Sequence, residues 1–390
     1  MKFFHLSDLH IGLKLVNHDL TADQRYILAQ IIVTKARERQ PDAIVIAGDI
    51  YDKAIPSAEA VGLFDEFITQ LHQAVPAAEI MLISGNHDSA QRVNVFRQVL
   101  ASHKIHLIGL PPMEEDEYIP KVTLSDEYGP VNFYLLPFVK PSMVKRITGT
   151  DENGNNLSYD AALHALVARE TIDQTQRNVL VSHQFYLSTG GSADDVTRSD
   201  SEIITVGNID SINGDILEQF DYAALGHIHK PQKLNGKDCY RYCGTPLACS
   251  ISEAGQAKGI IEVELVEKNS VKTTVLPLEP LHPVCKLKDT LRNILALPSD
   301  DYVSITLTDK EDLDVFDMQD RLREAFPNLL EIQRESQRQV NYQQKITAQD
   351  ILSPFDLCKN FLEDIDPEEE KLLTEIINDI QQSNEKEKQA

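Results

Sequence analysis

No stretch of this chain approaches the roughly 18 consecutive apolar residues that a membrane-spanning helix needs, so the sequence offers no such span. Met1-Lys2-Phe3-Phe4 begins like a secretion signal, but His5 and Asp8 interrupt it before an apolar core can form, and the chain is expected in the cytoplasm. Cysteine is scarce. There are five, with no C-x-x-C, and Cys239, Cys243 and Cys249 are spaced like no common zinc site, so reduced structural thiols are expected. Positive charge is short as well: 37 Lys and Arg against 61 Asp and Glu leave a net −24. Residues 341–390 hold 12 acidic and 5 basic side chains and so supply only −7 of it. Such a chain has no broad, non-specific grip on nucleic acid. A local basic strip, or positive surface supplied by a partner, remains compatible with it, and divalent cations would neutralise acidity at a site. Lys14, Arg25, Arg92, Lys140, Arg198 and Lys230 are candidate backbone contacts, though most are expected to be solvated ion-pair partners. There is no internal repeat.

What is present is an alternation of buried-looking strands and amphipathic helices. Strands are expected at 2–7, 43–47, 79–83 and 105–108, with helices at 22–39, from Ser57 to about 73, and at 90–101. That order argues for an α/β sandwich. From about 118 the strands come at shorter spacing: 118–124, 131–136, 178–182, 221–225, 238–243 and a hairpin of 259–266 with 271–278. A helix is expected at 159–172. The long Ser-, Gly- and Asp-rich stretch after His183 reads as a substrate-facing loop. Pro277, Pro280 and Pro283 mark a boundary. The expected domains are 1–280; a small β-α-β unit at 281–340, with strands at 302–307 and 329–332 around a helix at 315–326; two amphipathic helices within 341–381; and a disordered tail, 382–390. The helices are marked by Ser353-Pro354 and Asp366-Pro367, each an N-cap followed by proline. Their apolar faces either pack on their own domain or dock on a partner helix.

Five strands end in metal-ligand residues: Asp8-Leu9-His10, Gly48-Asp49, Gly85-Asn86-His87-Asp88, Ser182-His183 and Gly226-His227-Ile228-His229. In open α/β folds, such strand ends border the crevice that binds ligands. Asp8, His10, Asp49, Asn86, His183, His227 and His229 mix carboxylate, amide and imidazole without thiolate, which suits Mn²⁺, Fe²⁺ or Zn²⁺. Seven such residues are too many for one ion and fit two, roughly 3.5–4 Å apart, with one carboxylate between them. Asp49, central in the strand order, is the expected bridge. Two ions so placed clamp a phosphate and activate water, so phosphoester hydrolysis is expected. Asp88 is either a group behind the ligands or a turn cap. The other histidines (His5, His18, His72, His103, His106, His164 and His282) match no motif and are read as structural or surface residues.

These motifs, in this order, resemble the calcineurin-like metallophosphoesterases. Ser7-Asp8-Leu9-His10-Ile11-Gly12, with the small domain and terminal helices, resembles their Mre-type break-repair nuclease branch in its bacterial form. The resemblance is strong over 1–90 and 180–250 and looser beyond 280. It implies a four-layer sandwich, two β-sheets flanked by helices, with a small α+β cap domain and C-terminal helices. It implies one Mn²⁺ on Asp8, His10, Asp49 and His229 and a second on Asp49, Asn86, His183 and His227, with Mg²⁺, Fe²⁺ or Zn²⁺ as possible substitutes. His87 then corresponds to a non-ligand histidine that contacts the scissile phosphate and protonates the leaving oxygen. Asp52 would orient it, where archaeal and eukaryotic members usually have His, a departure that leaves the acid–base roles open. The implied activity is DNA cleavage at duplex ends, hairpins or single strands, beside a coiled-coil ATPase subunit and as a homodimer, in DNA repair, recombination and replication. Two alternatives differ in class: a small-molecule or cyclic-nucleotide phosphodiesterase on the same ions, and a non-catalytic scaffold. The C-terminal hundred residues speak against the first, and the intact ligand set with His87 against the second.

Overall fold

The computed structural model describes residues 1–191, 196–202, 210–309, 315–335, 369 and 373. Its principal strands in chain order are β1 (Lys2–Leu6), β2 (Ala43–Ala47), β3 (Glu79–Ile83), β4 (Ile105–Ile108), β5 (Lys121–Asp126), β6 (Gly129–Leu136), β7 (Arg177–His183) and β8 (Tyr222–Gly226). They continue with β9 (Gln232–Lys233), β10 (Tyr240–Tyr242), β11 (Lys258–Leu265), β12 (Val271–Leu278), β13 (Val284–Asp289), β14 (Tyr302–Leu307) and β15 (Leu329–Arg334). Two six-stranded sheets result, in the orders β12-β11-β1-β2-β3-β4 and β9-β10-β8-β7-β6-β5. In the first, β1 to β4 run parallel, β11 is antiparallel to β1, and β12 is antiparallel to β11. In the second, β10, β8, β7 and β6 run parallel.

Side-chain alternation explains why the sheets stack. Phe3, Val45, Ala47, Met81 and Ile83 point from the first sheet into a shared core with Phe133, Val179, Val181 and Ala224 of the second. The intervening residues Phe4, Ile44, Ile46 and Leu82 face outward, onto helices that carry Ile27, Leu63 and Phe67. Leu136, Leu180 and Leu225 do the same on the other side, against Leu163 and Leu166 of helix Tyr159–Ala168. Strands apolar on both faces therefore become the middle layers of a four-layer α/β/β/α sandwich, as the resemblance implied. Between the layers, the His5 ring bonds to the Tyr222 hydroxyl (3.0 Å), and burial pushes its pKa down to about 3. It is a core histidine.

Other expectations needed correction. The helix expected at 90–101 is two short ones, Ala90–Val93 and Arg97–Ala101, because Phe96 stands in the left-handed region (φ 61°) and breaks the helix between them. The helix from 159 stops at Ala168, and a further helix, Pro141–Thr148, was not expected. The small unit after residue 281 is β-α-β-α-β, an all-parallel sheet in the order β13-β14-β15. Its additional strand β13 is mostly polar (Val284-Cys-Lys-Leu-Lys-Asp289) and alternates weakly. Leu291, Ile305, Leu322 and Phe326 form that unit's own core. Pro277 lies in β12, at the sheet edge, where a missing N–H costs little. Residues Met1–Glu335 form one compact unit. Cys239, Cys243, Cys249 and Cys285 are free thiols. Cys358, Ser353-Pro354, Asp366-Pro367 and the expected terminal helices and tail fall outside the described residues, apart from positions 369 and 373. Among the described residues no helix is long and apolar enough to cross a membrane.

Candidate metal centre

The ends of β1, β2, β3, β7 and β8 lie side by side, so five distant motifs meet in one crevice. Parallel pairing continues past the sheet: the amides of Asp8, His10 and Ile11 donate to the carbonyls of Gly48, Asp49 and Ile50, each at 3.0 Å. Asp8, His10, Asp49 and His227 all have positive φ (52°, 44°, 49° and 97°). Non-glycine residues held there mark backbone strain that the surrounding structure must impose. Two glycines explain how the loops come so close. A Cβ on Gly85 would lie 2.1 Å from Asp49 Oδ1, and one on Gly226 would lie 1.9 Å from the Ala47 carbonyl oxygen. Asp88 staples the loops together by accepting from the amides of Ile50 (3.0 Å), Tyr51 (2.9 Å) and Gly85 (2.9 Å). That makes it a main-chain brace behind the crevice.

Within the crevice two groups of atoms face each other across Asp49. His10 Nε2 lies 3.1 Å from His229 Nε2 and 3.7 Å from Asp49 Oδ2. On the other side, His183 Nε2 lies 3.3 Å from Asp49 Oδ2 and 3.0 Å from Asn86 Oδ1, which also meets His227 Nδ1 at 2.9 Å. Asp8 presents one oxygen to the His227 amide (2.9 Å) and leaves Oδ2 without a partner. His10 Nδ1 and His227 Nε2 are likewise buried and unpartnered. Buried polar atoms are nearly always hydrogen-bonded. Here Asp8, with its orphaned Oδ2, stands with the facing imidazole nitrogens of His10 and His229, an arrangement a bound cation would satisfy. Atoms of Asp8, His10 and His229 lie within 4.8 Å of one another, as do those of Asp8, Asp49 and His183. All seven expected ligands are thus brought together.

The electrostatics divide the donor set. Burial opposes charge on every imidazole, but Asp49 outweighs it at His183, whose pKa is raised to about 9, and Glu253 outweighs it at His229, also raised. Burial holds the His10 and His227 imidazoles well below 6.5, neutral and with lone pairs free. Burial also opposes ionisation of Asp49, yet the charge and hydrogen bond of His183 outweigh it and hold that carboxyl well below the usual range. Burial pushes Asp8 up to about 6. A buried carboxylate so disfavoured by its surroundings is stabilised by a cation next to it.

His87 and Asp52 also meet, but not through the expected carboxylate. His87 Nδ1 donates to the Asp52 main-chain carbonyl at 2.9 Å, whereas the Asp52 carboxylate stands 3.8 Å from His10 Nδ1. The His87 ring packs edge-on to His10 at 4.9 Å, and its amide donates to Asp49 Oδ1 at 2.9 Å. Atoms of His87 lie within 4.8 Å of those of His10 and Asp49.

Residues that no motif singled out complete the site. His229 is held by Ser201, Glu202 and Glu253, with Lys258 beneath them. Gln24 donates to the His10 carbonyl at 2.7 Å. The rings of Phe138 and Phe185 pack against His227, each at 6.4 Å. Of the long loop after His183, Ser199 and Ser201 lie against this ligand shell through Glu253, while 192–195 and 203–209 fall outside the described residues.

Residues 1–231 match the family model for calcineurin-like phosphoesterases, and the chain belongs to that family: it is a metal-dependent phosphoesterase. Residues 280–365 match a second model, described as the type 5 capsule protein repressor C-terminal domain. The chain is similar to the SbcD subunit of nuclease SbcCD from Staphylococcus epidermidis, 29% identical over 337 residues, which cover 85% of this chain and 84% of the relative. Among solved structures it is similar to a dimetal phosphatase from Danio rerio (13% identity, TM-score 0.42, covering 72% of this chain and 99% of that one). It is also similar to GAP50, the anchor in the inner membrane complex of Plasmodium (12% identity, TM-score 0.42, covering 85% and 96%).

Proposed function

We propose that this chain is the nuclease subunit of an SbcCD-type complex, a Mn²⁺-dependent phosphodiesterase that cuts DNA as an exonuclease at duplex ends and an endonuclease at hairpins or single strands. The observation that carries the reading is the convergence of both imidazole groups on one oxygen, Asp49 Oδ2, at 3.7 and 3.3 Å. Asp8, His10, Asp49 and His229 would hold one ion; Asp49, Asn86, His183 and His227 would hold the other. When bound, such ions neutralise phosphate charge and supply Lewis acidity at phosphorus. Without thiolate among the donors, Mn²⁺ suits the site, with Mg²⁺, Fe²⁺ or Zn²⁺ as substitutes.

The chain's own residues do the rest. His87 donates its Nδ1 hydrogen bond to the Asp52 carbonyl (2.9 Å), which orients the ring and leaves Nε2 to carry a proton to the leaving oxygen. Asp52 therefore acts on His87 through its main chain, and its carboxylate faces His10. The strained, mutually bonded loops hold the donors in place before substrate arrives, which lowers the reorganisation needed in the transition state.

A large coiled-coil ATPase of SbcC type is the proposed partner, docking on the helices expected in 341–381, in DNA repair, recombination and replication in the cytoplasm. The segment matched by the second family model, together with the similarity to a nuclease subunit over most of the chain, supports this. A second copy of the chain is the other proposed partner. Val95, Phe96 and Val99 are 51%, 74% and 60% exposed within five residues, an apolar group that association would cover.

The test is hydrolysis of end-labelled duplex DNA by the purified chain with Mn²⁺, with chelator, and beside a cyclic nucleotide at matched concentration. Mn²⁺-dependent duplex cleavage with the cyclic substrate nearly untouched is expected. The opposite preference would keep the metal centre and replace the substrate.

A further inference from the structure

His229 is tied to a buried ionic network that reaches well beyond the crevice. Its Nδ1 lies 2.8 Å from the Ser201 hydroxyl and 3.4 Å from Glu253 Oε1, and Ser201 in turn donates to Glu253 Oε1 at 3.0 Å. Glu253 is 1% exposed. Its other oxygen accepts from Lys258 Nζ at 2.6 Å and from the Thr245 hydroxyl at 3.1 Å. Lys258 Nζ also donates to the His229 carbonyl at 3.2 Å, so the pair grips both ends of the residue. Glu202 completes the clamp by accepting from the His229 amide at 2.9 Å while pairing with Arg198 at 3.1 Å.

A buried ion pair of this kind is a poor way to gain stability. Desolvating both charges offsets most of their attraction, and an apolar pair of similar volume usually serves as well. What the pair supplies is direction. An Nδ1–H donated to Ser201, whose hydroxyl proton goes to Glu253, leaves the lone pair of His229 on Nε2, the nitrogen that faces His10 at 3.1 Å. A carboxylate behind an imidazole also makes it a stronger electron donor.

We propose that Glu253 is a positioning residue for the metal position served by His229. Acting through Ser201 and balanced by Lys258, it sets the orientation and donor strength of that imidazole. The proposal rests on the two-ion reading above. The corresponding imidazole at the other position, His183, needs no such device, because its Nδ1 meets the Ala47 main-chain carbonyl at 2.7 Å. Loss of Glu253 should therefore weaken one ion and spare the other.

The experiment is Mn²⁺ binding by equilibrium dialysis with metal analysis, with electron paramagnetic resonance to detect coupling between two ions. Wild type is measured first, and fewer than two ions there would overturn the two-ion reading itself. With two in wild type, Glu253→Gln should retain one at wild-type affinity and hold the other on the order of 10- to 100-fold more weakly. Its spectrum should change from a coupled pair to an isolated ion. DNA cleavage at limiting Mn²⁺ should fall through kcat, with KM for DNA unchanged, and excess Mn²⁺ should restore it. Ser201→Ala, which removes only the relay hydroxyl, should shift the same ion in the same direction by less. If Glu253→Gln does not fold, Glu253→Gln/Lys258→Met removes both charges together and carries the same expectation, and if neither folds Ser201→Ala decides. Two ions at wild-type affinity in a folded Glu253 variant, or in Ser201→Ala where it decides, would overturn the proposal, as would equal weakening of both.

Discussion

The two sides of the metal centre are built by different means. On the side of Asn86, His183 and His227, the support is main chain and packing: the Ala47 carbonyl on His183 Nδ1 at 2.7 Å, the Gly226 backbone against Ala47, and the rings of Phe138 and Phe185 around His227. On the side of Asp8, His10 and His229, the support is a charged side-chain network of Glu253, Lys258, Glu202 and Arg198. Main-chain support is specified by the strands themselves and changes only if the sheets move. Side-chain support can be altered one residue at a time, so this side is the one where affinity can be tuned independently of the fold.

Asp49 is what the two sides share, and removing it tests the comparison most severely. Asp49→Ala is expected to lose both ions and to lower turnover by ~10³-fold or more, since several kcal/mol of charge stabilisation go with them. A metal titration that still finds two normal sites would show that Asp49 does not bridge. His87→Ala should separate chemistry from metal binding. Both ions should remain while turnover drops by about 10²- to 10⁴-fold, the usual contribution of a general acid. Loss of one ion in the titration would make His87 a ligand. Gly226→Ala probes the packed side. With its Cβ 1.9 Å from a carbonyl oxygen, β8 must shift, so a cost of about 1–3 kcal/mol in unfolding and selective weakening of the His183–His227 position are expected. Unchanged stability and metal binding would mean that the backbone gives freely there.

The smallest effect is expected away from the centre. Asp126, at the end of β5, bonds to the buried guanidinium of Arg177. Burial opposes its ionisation, but Arg177 outweighs that and holds the carboxyl well below the usual range. A lowered folded-state pKa gives stability that is present above the unfolded value of ~3.9 and is lost as pH falls through the folded one. Asp126→Asn should therefore cost about 1–2 kcal/mol at neutral pH. In urea unfolding followed against pH, its difference from wild type should begin to narrow below about pH 4 and go on narrowing as pH falls toward the folded-state pKa, with metal binding unaffected.

That seven candidate ligands and His87 would meet in one crevice was legible because each is local. Every one sits within a few residues of the end of an apolar strand, and parallel strands place their C-terminal ends along one edge. The main strands were legible for the same reason: runs such as Ala43–Ala47 and Arg177–His183 are buried along their whole length. Where local pattern was weak, the reading failed. β13 is polar and half exposed, and its pairing with β14 shows only in three dimensions. Phe96 breaks a helix whose apolar spacing looked continuous.

The sequence by itself therefore determined the sandwich and which candidate metal donors, with His87, meet at the strand ends, since these follow from strand periodicity and from what stands at each strand end. Tertiary structure alone decided the rest. It turned the Asp52 carboxylate toward His10 and offered its carbonyl to His87, because backbone direction in a strained loop is not encoded in residue type. It also set Ser201, Glu253 and Lys258 beneath His229. Partners separated by some 25 to 50 residues leave no period in a sequence, and only the packing of the two sheets brings them within hydrogen-bonding distance.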